Sequence, residues 1–137
     1  MERFVKNFIA MSIVYLTLAS VLGVFMLSMP SLLTLKFAHS HLMLLGWVSM
    51  MIYGVGYHIL PRFAGKLLRS RAMGELQFWL SNIGLVGMLL FYGLMQYSPA
   101  PLYKGLSAAF GGIEVLSIFL FFYNMMVTVF GKEPQGA

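Results

Sequence analysis

Four apolar runs, each long enough to cross a bilayer, leave this chain few ways to fold. They lie near Phe8–Met29, Phe37–Leu60, Leu76–Tyr97 and Leu106–Phe130. A hydrocarbon core of about 30 Å takes roughly 20 helical residues to span. Proline turns, "SMPS" at Ser28–Ser31 and "YSPAP" at Tyr97–Pro101, separate spans 1 from 2 and 3 from 4. The basic stretch "PRFAGKLLRSR", Pro61–Arg71, joins spans 2 and 3. The tails and loops are too short for a soluble domain. The pattern predicts an all-α integral membrane four-helix bundle, one domain over residues 1–137.

Composition agrees. Only 9% of the residues are charged, against about a quarter in a soluble domain. With no cysteine, disulfides, iron–sulfur clusters and thiolate zinc sites are excluded. The net charge of +5 does not point to nucleic acid, because the basic residues flank the spans. Arg3, Lys6, Arg62, Lys66, Arg69, Arg71 and Lys132 fall on one side, Lys36 and Lys104 on the other. The positive-inside rule then places both termini and the central loop in the cytoplasm. Span 1 is longer than a signal-peptide core and lacks a clear cleavage site, so it is expected to stay as an anchor.

All three histidines, His39, His41 and His58, belong to span 2. The rise of a helix separates His41 from His58 by about 26 Å, so they cannot share one small site. His39 and His41 are two apart, about 200° around the helix. A pair chelating one ion from one face would be three or four apart. "HSH" instead sends one imidazole to each side of its helix. An ionisable side chain at membrane depth is costly unless paired or ligating; the plainer alternative is that both rings face water at the headgroup boundary.

The stretch "FAHSHLMLLGWVSMMIYGVGYHILPRFAG", Phe37–Gly65, resembles a helix of the catalytic subunit of the haem–copper oxidases, subunit I of cytochrome c oxidase. The matching positions are His39, His41, His58, Pro61, Phe63 and Gly65. "QFWLSNIGL" at Gln77–Leu85 resembles the opening of the family's next helix, and "EVLSIFLFFYNMMVT", with Asn124 and Thr128, loosely resembles another. The resemblance implies haem, and we take it as haem b. In the family the first histidine of H-x-H ligates the high-spin haem iron and the second the low-spin haem, the places that His39 and His41 occupy. His58 matches a residue that is not a haem ligand. The W-x-x-x-H-P motif and the adjacent histidine pair of the family's copper site are missing, so oxygen reduction at a haem–copper pair is not expected.

The family's subunit has about twelve helices in three arcs around a pseudo-threefold axis. A chain resembling one arc suggests a homotrimer that restores the ring by true symmetry, with His39 of one copy facing His41 of the next across one haem. Gly46 would let a backbone or a porphyrin face approach, and Trp47 would pack on a haem edge, whereas Trp79 fits the interfacial belt. Glu114, the one acid inside a span, has three readings: a hydrogen bond to the far nitrogen of a ligand histidine, a proton relay, or a helix-joining group. His58 joins it as a candidate for proton handling.

The expected function is electron transfer, or reaction with a small gas such as NO or O2, in a prokaryotic cytoplasmic membrane. A respiratory electron donor would be the partner. The alternatives are a haem-free assembly subunit of a respiratory complex and a small proton-conducting or transport protein. Against transport, no span is broken at mid-membrane by Pro or Gly in the usual way of ion sites.

Overall fold

The computed structural model describes residues 1–131. Lys132, one of the seven cations counted on one side of the spans, lies outside the described residues. The chain is all-α. Four helices are long and apolar enough to cross a membrane: α1 Arg3–Ser28, α2 Pro30–Phe63, α3 Arg71–Tyr97 and α4 Pro101–Phe130. They run up and down, so one end of the bundle carries the start of α1, the α2–α3 loop and the end of α4. This is called the terminal end below.

Local chemistry explains the boundaries. Pro30 and Pro101 stand at the first position of α2 and α4, where a missing N–H costs nothing and φ is already helical. Ser70 caps α3, its hydroxyl accepting from the Met73 N–H at 3.1 Å. At the end of α2, Gly65 adopts φ +65°. There the Gly65 N–H donates to Arg62 O at 3.0 Å and the Lys66 N–H to Pro61 O at 2.8 Å, the paired bonds that close a helix through a left-handed glycine.

α2 is not uniform. It opens as a 3-10 turn over Pro30–Leu35, becomes α-helical over Lys36–His41, widens to a π-helix over Leu42–Ser49 and returns to α over Met50–Phe63. The Ser49 hydroxyl donates to Leu44 O, five residues back, at 2.9 Å. Wide turns of this kind are uncommon and concentrate at functional sites. The widening begins directly after His41. It changes the phase of everything beyond, so the 3.6-residue arithmetic between His41 and His58 holds only as a length, not as a direction.

Inside lipid, helices associate by close packing and hydrogen bonds rather than by escape from water. α3 and α4 approach so closely that a Cβ on Gly84 would lie 2.7 Å from the backbone N of Glu114. Near the terminal end, Phe8 stands edge-on to Phe78 at 5.1 Å, Phe4 to Tyr57 at 5.1 Å and Tyr57 to Phe121 at 5.2 Å. These contacts join all four helices. The same end is tied by hydrogen bonds: Lys66 Nζ donates to Val129 O and Gly131 O, and Asn124 Nδ2 to Ser70 O. The α2–α3 loop is thereby fastened to the end of α4.

Candidate functional site

His39 and His41 lie in the short α-helical segment that precedes the π-helix. His39 turns toward α1, where its Nδ1 sits 3.1 Å from Ala19 O. Its ring lies over Gly23, on which a Cβ would come within 3.0 Å of His39 Cε1. His41 turns the other way. Its Nδ1 sits 2.9 Å from Phe37 O, one turn back. Its ring lies on Phe37 at 3.9 Å, and Phe37 stacks on Tyr92 of α3 at 4.3 Å. The Tyr92 hydroxyl donates to Thr34 O at 3.2 Å, locking the far side of that stack.

A carbonyl oxygen can only accept, so in both contacts Nδ1 carries the proton and donates. In a neutral ring that arrangement leaves the lone pair on Nε2. Both imidazoles are half-buried. The two rings serve different neighbours, as their 200° separation requires, and the chain does not bring them together on one side of α2. Among the described residues, no three histidine or acidic side chains gather as metal ligands.

The other residues singled out from the sequence fall elsewhere. Gly46 is buried, and a Cβ there would meet Tyr15 at 2.8 Å and Leu85 at 3.2 Å. Of its two readings, the space is filled by α1 and α3. Trp47, next along in the π-helix, is half-buried. His58 lies near the terminal end of α2 with its ring against the Arg62 guanidinium. It is remote from His39 and His41, as its position in the span requires.

Glu114 is 2% exposed, and neither carboxyl oxygen has a hydrogen-bond partner. Nδ1 of His39 and of His41 face Ala19 O and Phe37 O, and Glu114 bonds to neither ring in this chain. Other buried polar groups share its lack of partners; of these the sequence reading names Asn124 but not Gln77 or Tyr57. Gln77 is fully buried with both amide atoms unpartnered, and the Tyr57 hydroxyl and Asn124 Oδ1 are likewise unpartnered. The signal was present in α3, where Gln77, Ser81, Gly84 and Met88 recur at helical spacing on one buried face. Ala19, Gly23, Phe37 and Tyr92, which hold the two imidazoles, also went unnoticed. They are ordinary membrane residues whose role exists only through the fold.

The family model described as Cytochrome C and Quinol oxidase polypeptide I matches residues 2–132. The chain belongs to this family, subunit I of the haem–copper oxidases. No curated protein and no solved structure gives a match. Membership brings haem as the family's cofactor. The donor set fits that group on the geometry above: two imidazoles, each oriented by a backbone carbonyl at Nδ1, with Nε2 making no such contact.

Proposed function

We propose that this membrane protein binds haem b through Nε2 of His39 and His41, and that it works as a homotrimer. The observation that supports this is the setting of the two rings: each Nδ1 is committed to a carbonyl, which orients the imidazole for ligation through Nε2. Because the rings leave α2 on different sides, one chain offers a single ligand in each of two directions. A neighbouring copy would then supply the second imidazole.

A haem iron carries one electron at a time, and where an axial position is open it binds small gases such as NO or O2. The chain's own residues set which use is made of it. Ala19 O and Gly23 fix the plane of His39, while the Phe37–Tyr92 stack fixes His41. Trp47, further along the same helix, is the candidate ring contact. The protein is read as a respiratory component of a prokaryotic inner membrane, with both termini cytoplasmic and a respiratory electron donor. A haemochrome assay on purified protein tests the proposal: about one haem per chain is expected, and none after reconstitution contradicts it.

A second reading, proton conduction, is favoured by one specific observation. Glu114, Gln77, Tyr57 and Asn124 bury polar atoms that no protein group satisfies, which is unusual without a role or an internal water. Proton flux into liposomes carrying the haem-free protein separates this reading from the first.

A further inference from the structure

We propose that the chain holds the headgroup of an aminophospholipid, one bearing both a phosphate and a primary ammonium, in a cavity between α1 and α3 at the terminal end. The cavity measures about 280 Å³ and is lined by Arg3, Phe4, Asn7, Glu75, Phe78 and Trp79. The polar lining comes from two pairs, Arg3 with Asn7 on α1 and Glu75 with Trp79 on α3. Members four apart share a helix face. In each pair the charge stands nearer the helix start, and the amide or indole one turn deeper toward the membrane. Phe4 and Phe78, both buried, supply the apolar wall.

The charges identify the ligand. Immediately beside the cavity, Glu2 and Arg71 bridge the same two helices as an ion pair at 3.2 Å. Arg3 and Glu75 form no ion pair among the described residues, although both line one cavity. A ligand that answers both must carry an anion and a cation. Guanidinium binds phosphate in a fork geometry. A carboxylate accepts from a primary ammonium, and an indole face attracts the same cation. Trp79 is 62% exposed, as a residue of the aromatic belt at headgroup depth would be. Ligand cavities for larger molecules run from about 300 to 1,000 Å³, so this one suits a headgroup rather than a ring system. An anionic headgroup without an ammonium would satisfy Arg3 but set its charge against Glu75.

The test opposes the specific site to the general electrostatics, since a chain of net charge +5 attracts anionic lipid without any site. The full protein in detergent is loaded with equal amounts of phosphatidylethanolamine and phosphatidylglycerol of matched acyl chains, and bound lipid is counted by native mass spectrometry. The ethanolamine lipid is expected to be retained in about threefold to fivefold excess, the scale of a partly exposed charge pair. Glu75→Gln is expected to erase that preference, and Arg3→Gln to lower retention of both lipids. Both side chains are exposed, so neither substitution removes a core contact. Soluble glycerophosphoethanolamine is expected to give no adduct. Equal or greater retention of phosphatidylglycerol, a preference that survives Glu75→Gln, or an equally strong soluble adduct would each overturn the proposal. None of these outcomes depends on haem.

Discussion

The Nδ1 of His39 lies 3.1 Å from the carbonyl oxygen of Ala19 on the neighbouring helix, so α1 orients a ring that α2 carries. The contact is possible because Gly23, one turn further along α1, has no side chain to occupy the ring's place. Gly23→Val should push the imidazole off Ala19 O and leave the rest of the bundle folded. Loss of an orienting partner of this kind typically costs about 10- to 100-fold in metal affinity. Haem titration followed at the Soret band reads the change, with far-UV circular dichroism confirming retained helix.

The three histidines should separate into two classes. If His39 and His41 ligate haem as proposed, His39→Ala and His41→Ala should each abolish most haem incorporation, whereas His58→Ala should leave it near the parent level. His58 sits beside Arg62 near the opposite end of its helix, remote from the other two. Haemochrome quantification of the three variants checks this. Loss of haem in His58→Ala equal to that in His41→Ala would break the assignment.

The stack of His41, Phe37 and Tyr92 is expected to respond in steps. Tyr92→Phe keeps the ring but loses the bond to Thr34 O, a change of about 1 kcal/mol. Tyr92→Leu also removes the aromatic stacking, worth roughly 0.5–1.5 kcal/mol more. Unfolding of the purified protein against denaturing detergent should rank parent, Tyr92→Phe and Tyr92→Leu in that order.

Gly84 sets the approach of α3 to α4. A Cβ there would lie 2.7 Å from a backbone nitrogen, which cannot swing aside as a flexible side chain can. Gly84→Ala should therefore destabilise the bundle by about 1–3 kcal/mol through overpacking. Gly93→Ala, in the same helix with open space around it, should cost nothing measurable or gain slightly. Thermal unfolding of the pair in one detergent distinguishes a close-packed seam from a general intolerance of change.

What was legible in the sequence follows from what lipid demands. The four spans are visible because a hydrocarbon core needs long apolar runs, and Pro30, Pro101 and Gly65 mark their ends by local chemistry alone. The divergence of His39 and His41 was readable because both fall in a short regular segment, before the helix widens. The π-helix from Leu42 to Ser49 was not readable, since no residue type there demands it. Gly46 could be assigned to close packing only once Tyr15 and Leu85 were seen to fill its space. The partners of the imidazoles are backbone carbonyls, which every residue carries, so sequence could not single out Ala19 or Phe37. Gln77 was overlooked because one glutamine near a span's start looks like an interfacial residue, and only the packing of α3 shows it buried.

The central claim is that His39 and His41 are haem ligands drawn from different copies of the chain. The visible absorption spectrum of detergent-purified protein, oxidised and then reduced with dithionite, with and without CO, tests it most directly. A sharp reduced α band that CO does not move is expected, since two imidazoles would then close both axial positions of the iron. A spectrum that shifts with CO would contradict closure by a second copy and point to an open iron. The absence of a Soret band even after haem is added would contradict haem binding itself.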